Sequence, residues 1–247
     1  METSLLVKAM DDLLQPFRFV DYAPNGLQVE GSSQVKHLVT GVSASQALID
    51  RAVAQNADML LVHHGFFWQN EDPRIIGMKY RRLRAILNNN INLVSYHLPL
   101  DAHLEYGNNA QLAKRLNLKI EGVHDNTYVF YGSLQQQTTA QSFANKIEQV
   151  LARKPLLIQG NNRPIQKVVW CSGAGQKYIT EAANFGADCF LSGEVSETTT
   201  HLARELEINY FACGHHATER YGVKALGEYL ANKFKIKHSF IDIDNPA

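Results

Sequence analysis

The first thing missing from these 247 residues is a surplus of charge. Lys plus Arg number 24 and so do Asp plus Glu, so the formal net charge at pH 7 is zero. A dedicated nucleic-acid binder normally presents a basic face. The balance argues against one here, although it leaves room for a local basic patch. Long apolar runs are missing too. No stretch approaches the ~20 residues that span a bilayer. The N-terminal METSLLVKAMDDLLQPF lacks the charged, apolar and cleavage regions of a secretory leader. A soluble cytoplasmic protein is the expectation. Cysteine is scarce: Cys171, Cys189 and Cys213 show no metal-type spacing, and each lies in or beside an apolar run. They read as small buried residues in a reducing compartment. No P-loop, G-x-S-x-G or G-x-G-x-x-G occurs, which removes three common signatures of nucleotide and hydrolase chemistry. Ser172-Gly173-Ala174-Gly175 resembles a phosphate-binding turn, but one short Gly-rich turn carries little weight.

What is present is a hydrophobic fraction of 45%, ample for a sizeable core, and ten histidines. Two histidine pairs are adjacent in sequence, His63-His64 and His215-His216.

Strand and helix signals alternate. His37 to Gly41 is a short apolar run, followed by a helix carrying Ala44, Leu48 and Ala52 on one face, which Ser43 or Ser45 can cap. Met59 to Val62 is apolar on both alternating sets, as in a strand buried on both faces. Next come a helix from about Met78 to Asn89, a strand from Ile91 to Tyr96 and the helix AQLAKRL. The order then recurs. Lys167 to Cys171, Cys189 to Ser192 and Ile208 to Cys213 read as strands. Gly173 to Phe185, Glu197 to Leu206 and His216 to Phe234 read as helices, and the chain closes on the alternating HSFIDID. At an offset of 130, Val39, Ala44, Gln46, Ile49, Ala52, Ala57, Asp58 and Leu61 meet Val169, Ala174, Gln176, Ile179, Ala182, Ala187, Asp188 and Leu191. Internal duplication is the better reading of this match. The expectation is α/β, with mostly parallel sheets in two lobes, residues 1–122 and 123–247. Between Gly122 and Pro164 the pattern weakens, apart from a helix over Ala140 to Leu151 and a turn at Gly160 to Pro164.

In parallel sheets, ligands gather beyond the carboxyl ends of the strands. The residues at those places here are His63-His64-Gly65, His97 to His103, Gly193-Glu194 and Gly214 to Glu219. Adjacent strand residues point to opposite faces, so His63 and His64 share a site only if the strand ends there. Taken alone, the pair reads more readily as one buried and one exposed histidine. His215 and Glu219 stand one helical turn apart on one face, though an isolated pair of this kind is usually a solvated one. Asp101 follows Pro99, and a turn or cap role explains it as well as ligation does. His97 is a candidate for facing substrate, His103 ranks lower, and Glu194 occupies the duplicate position of His64. In DYAPNGLQVEG (Asp21 to Gly31), Asn25 and Gln28 are candidates to bond a substrate or to hold a loop. Taken together, three histidines and two carboxylates suit zinc, manganese, iron or nickel. Five side chains serve two ions only if a carboxylate bridges and water fills the open positions, as metal-assisted hydrolysis requires.

The segments DYAPNGLQVEG, LLVHHGFFW, YHLPLDAH, GNNAQLA, FLSGEVSE and GHHATERYG, in this order, resemble the NIF-three-like family. Its bacterial members carry the name GTP cyclohydrolase I type 2 homologue. The resemblance implies two interlocked α/β lobes with the metal site between them, two divalent metal ions per subunit and a toroidal homohexamer. It places the metal ligands on His63, His64, Asp101, His215 and Glu219. The expected activity is hydrolysis of a small molecule, such as a nucleotide or purine derivative, with His97 as the catalytic imidazole. The competing reading is a non-catalytic scaffold in which metals stabilise a ring. A ring acting on DNA has the neutral charge against it.

Overall fold

The computed structural model describes residues 1–124 and 128–247. The chain divides into two compact units, one of Met1–Gly107 with Gly222–Asp244 and one of Asn108–Tyr221 with Asn245–Ala247.

The first unit is built on a five-stranded sheet. Its strands are β1 (Gly26–Val29), β2 (His37–Ser43), β3 (Met59–His64), β4 (Asn92–Ser95) and the closing β11 (Lys237–Phe240). Their order is β1-β4-β3-β2-β11, and all neighbours are parallel except β1 against β4. Alternation sorts the side chains to the two faces. Val39, Leu60, Val62 and Leu93 pack with Leu48, Ile49 and Ala52 of α2 (Gln46–Ala54) and with Leu83 and Ile86 of α3 (Gly77–Asn88). Leu38, Met59, Leu61 and Val94 pack on the other face. Their partners are Leu6, Met10 and Leu14 of α1 (Thr3–Leu14) and Val223, Leu226 and Leu230 of α9 (His215–Phe234). Burying a leucine such as Leu60 or Leu61 contributes roughly 1.5–3 kcal/mol. That two-sided burial is why β3 is apolar from Met59 to Val62.

The second unit has a six-stranded mixed sheet of order β5-β6-β8-β9-β10-β7. The strands are β5 (Leu118–Val123), β6 (Phe130–Thr138), β7 (Leu156–Ile158), β8 (Ile165–Cys171), β9 (Cys189–Ser192) and β10 (Asn209–Ala212). β8, β9 and β10 run parallel. The β5–β6 ladder, the β6–β8 pair and the β7 edge are antiparallel. On one face Val168, Trp170, Leu191 and Phe211 meet α5 (Asn108–Leu116) and α6 (Ala140–Leu151). On the other, Val169, Phe190 and Tyr210 meet α7 (Ile179–Asn184) and α8 (Glu197–Glu205). All three cysteines are buried.

The duplicated stretches fold alike. Asp58 Oδ2 accepts the Lys36 and His37 N–H groups at 2.8 and 2.9 Å. Asp188 Oδ2 accepts those of Gln166 and Lys167 at 2.9 and 2.8 Å. Each aspartate thus ties the start of its unit's first parallel strand to the start of the next.

Three stretches differ from the local pattern. The segment expected to be helical from Gly173 opens instead with a turn and a 3-10 turn over Gln176–Tyr178, and α7 starts only at Ile179. Gly173 has φ +59°, and its carbonyl accepts the N–H groups of Gly193 and Glu194. A helix there would withdraw that acceptor. The weakly patterned middle holds β5, β6, α6 and β7, while residues 125–127 lie outside the described ones. The closing HSFIDID is strand only as far as Phe240, with the Ile241 N–H still donating to the Thr40 carbonyl at 2.9 Å. Among the described residues, no helix is long and apolar enough to cross a membrane.

Candidate metal centre

In the first unit, β3 ends on His63-His64. Gly65 then turns the chain where a Cβ would collide with the Gln28 amide and lie 2.7 Å from Ser95 Cβ. Gln28 is committed to this turn: its Oε1 accepts the Phe66 N–H at 2.7 Å, and its Nε2 donates to the Phe66 carbonyl at 3.1 Å. The buried His63 donates Nδ1–H to the Tyr96 carbonyl at 3.0 Å, since a carbonyl only accepts. Its lone pair is therefore on Nε2, 3.6 Å from Asp101 Oδ1. Two acceptors facing each other in a buried place call for a proton or a cation between them.

Asp101 is 5% exposed. It stands not in a loop but in the first turn of a short helix, α4 (Leu98–Ala102), with Pro99 near its start. His64 is held by a hydrogen bond between its Nδ1 and Ser43 Oγ, 3.0 Å. The helix cap falls to Ser45, whose side chain accepts from Leu48 N, so the two serines divide the roles open to them in sequence.

His97 joins this group. Nitrogens of His63, His64 and His97 all lie within 4.8 Å of one another. His97 Nδ1 donates to Asp21 Oδ1 at 2.7 Å. Asp21 Oδ2 also accepts from Asn25 Nδ2 and from Leu98 N. Burial pushes the Asp21 carboxyl up, but the His97 bond and charge, with these two donors, outweigh it and hold the group below its ordinary value. Asn25 Oδ1 accepts the His97 N–H at 2.8 Å. Asn25 and Gln28 therefore act as loop-holding residues. His103 accepts the N–H groups of Glu105 and Tyr106 at its Nδ1 and stacks on Tyr106, closing a turn away from the cluster's chemistry.

In the second unit, β10 runs into Cys213 and Gly214. Gly214 has φ +94°, which lets the chain turn into α9 with His215 first. His215 Nδ1 donates to Glu194 Oε1 at 2.7 Å, and Nε2 lies 3.1 Å from Glu219 Oε2. Glu219 is 3% exposed. Burial works against the His215 charge, but Glu219 first and then Glu194 overcome it and push its pKa up to about 9. This setting favours positive charge at His215, and a metal ion at Nε2 would take the place of a proton there. Gly173 completes the surround: a Cβ there would run into Glu219 Oε1 and stand 3.1 Å from His215 Nε2. Its N–H donates to Thr218 Oγ1 at 3.0 Å. Gln176 Nε2 donates to Glu194 Oε2.

The first unit thus assembles three imidazoles and the buried Asp101, and the second one imidazole and the buried Glu219, donors that suit a borderline divalent ion. In each imidazole Nδ1 is occupied by an oxygen partner, the arrangement that orients metal-binding histidines through Nε2. Within the first unit His63, His64, His97 and Asp101 come together. Within the second, His215, Glu219 and Glu194 do. Sequence reasoning missed Asp21, Ser43, Gln176, Gly173 and Thr218 as supports. Glu194 was visible because it duplicates His64. Asp21 lay in a segment flagged for its amides, and nothing local marked its carboxylate.

Comparison with known proteins places the chain in a family. The family model described as Duf34/NIF3 (NGG1p interacting factor 3) matches residues 1–246. A Pseudomonas aeruginosa protein named GTP cyclohydrolase 1 type 2 homolog is 51% identical over 248 residues, covering 99% of this chain and 98% of that one. A Pasteurella multocida protein of the same name is 55% identical over 231 residues, 92% of each. Among solved structures, the protein ybgI, described as of unknown function, superposes with a TM-score of 0.98 at 48% identity over the full length of both chains. A Thermus thermophilus protein gives 0.93 at 34%, again over both full lengths. With the family model spanning nearly every residue and relatives above half identity, the chain belongs to the Duf34/NIF3 family.

Proposed function

We propose that His63, His64, Asp101, His215 and Glu219 jointly hold two divalent metal ions, and that the protein uses them to hydrolyse a small molecule. The observation that carries this reading is the common preparation of the imidazoles. His63, His64 and His215 each have Nδ1 engaged by a partner at 2.7–3.0 Å, and Nε2 of His63 and of His215 lies 3.6 and 3.1 Å from the carboxylates of Asp101 and Glu219. The five side chains supply three imidazoles and two carboxylates, enough for two ions if one carboxylate is shared. The ions, when bound, would supply Lewis acidity and a lowered water pKa, the chemistry of metal-assisted hydrolysis.

The chain's own residues do the rest. Asp101 and Glu219 contribute negative charge in a buried setting. Glu194 holds the His215 ring. His97, fixed by Asp21, is the imidazole left over from the ligand set, and it moves a proton to the leaving group. The relatives' name points to a nucleotide or purine derivative as substrate. The family resemblance adds a homohexamer, which light scattering would contradict by returning a 27.7 kDa monomer.

Hydrolysis in oxygen-18 water under single-turnover conditions tests the reaction once a purine-derivative screen finds a substrate. Label in the product of the first turnover is expected. Unlabelled product, or a trapped covalent adduct, would contradict direct attack by water. A screen without turnover by metal-loaded protein would favour a scaffold.

A further inference from the structure

The turn after β3 is strained and pinned at once. Phe67 has φ +64°, a conformation that a bulky residue adopts only when its surroundings force it. The forces are visible. Gln28 clamps both the N–H and the carbonyl of Phe66. Just beyond, Gln69 N donates to the Tyr22 carbonyl at 2.6 Å, tying this turn to the segment that carries Asp21. Trp68 Nε1 donates back to the Gly65 carbonyl at 3.2 Å. Strain kept in this way marks a position worth its cost.

What the turn presents is an aromatic ring beside the imidazoles. The Trp68 ring centre is 5.1 Å from that of His97, edge-on, and 5.9 Å from that of His64. Tyr22 lies 6.1 Å from His97 and is 47% exposed. Trp68 is half-buried. Neither ring belongs to a hydrophobic core cluster of the unit, and the Trp68 indole N–H is spent on its own turn. The π-faces remain as what these residues offer a ligand. Such faces recognise planar rings by offset or edge-to-face contact, as they do for unpaired bases.

We propose that Trp68 and Tyr22 form the recognition element for a planar aromatic heterocycle, placing the molecule to be hydrolysed beside His64 and His97. This rests on the hydrolase reading and supplies its specificity. It assigns the strained turn a purpose: carrying Trp68 on a rigid support next to the ligand histidines.

The probe is guanosine, with ribose 5-phosphate as the control that lacks a base. The full chain is used, with metal content measured on every sample. The chain has two tryptophans, and Trp170 is fully buried, so quenching on addition of guanosine reports Trp68. Equilibrium dialysis then compares wild type with Trp68→Leu and Tyr22→Leu. The expected result is quenching by guanosine and none by the sugar phosphate. Affinity should fall about tenfold or more in Trp68→Leu, and less in Tyr22→Leu, with metal content unchanged. Equal affinity in Trp68→Leu and wild type would overturn the proposal, as would wild-type protein that does not bind guanosine at millimolar concentration. Loss of metal from His63→Ala or Glu219→Ala concerns the hydrolase reading alone, so the two failures are distinguishable.

Discussion

Glu194 Oε1 accepts the Nδ1–H of His215 at 2.7 Å, across the turn from the end of one strand to the start of α9. The carboxylate fixes the ring and its tautomer, and so decides that Nε2 faces Glu219. Partners of this kind typically contribute 10–100-fold to metal affinity. Glu194→Gln should therefore weaken metal binding by about that factor in a chelator competition, while His215 and Glu219 stay in place. Unchanged affinity would mean that the ring is held by its packing alone.

Gly173 tests the same place from the backbone side. Gly173→Ala adds a Cβ where Glu219 Oε1 already sits, at a backbone φ of +59°. The variant should either lose thermal stability or displace Glu219 and lose metal. A melting curve with elemental analysis reads both. A variant with normal melting and full metal content would show that the turn can yield.

The duplicated aspartates predict a matched pair of losses. Asp58 and Asp188 each accept two backbone N–H groups at strand starts. Asp58→Ala and Asp188→Ala should each cost roughly 1–3 kcal/mol by urea denaturation. A loss confined to one variant would show that the two strand ties differ in energy despite their matching bonds.

Much of this was legible in the sequence, because short apolar runs mark the strands and the polar residues just past each run are conspicuous. His63, His64, Asp101, His215 and Glu219 stood out in this way. Long-range partners were not legible. The pairing of β11 with β2, the tie from Gln69 to Tyr22 and the bond from Asp21 to His97 join residues far apart, with no periodic trace. β6 was hidden because its exposed residues Gln135, Gln136 and Gln137 break the apolar pattern. Gly173 misled because its neighbours have helical spacing while its own carbonyl is needed elsewhere.

Stability should fall on mild acidification through His37 and His238. Burial is the main cause holding each below its ordinary value. At His37 the charge of Lys237 adds to this, against the pull of Asp58 and of the Gln55 and Asn56 carbonyls. At His238, His37 and Lys224 lower the value while Glu228 raises it. The unfolded chain takes up protons near pH 6.5 and the folded one only below that. Stability is thus present above pH 6.5 and declines as pH falls from there toward the folded values. His215, whose raised value favours the folded chain as pH falls, works in the opposite direction over this range, so the variant is compared with wild type: between pH 7.5 and 5.5 the urea midpoint of His238→Gln should fall less, or rise more, than that of wild type. Identical changes in variant and wild type would contradict this origin.

Metal content of the purified full chain tests the central claim most directly. Elemental analysis should return two divalent ions per chain for wild type, with clear loss in both His215→Ala and Glu219→Ala. Unchanged metal content in both variants would contradict the account.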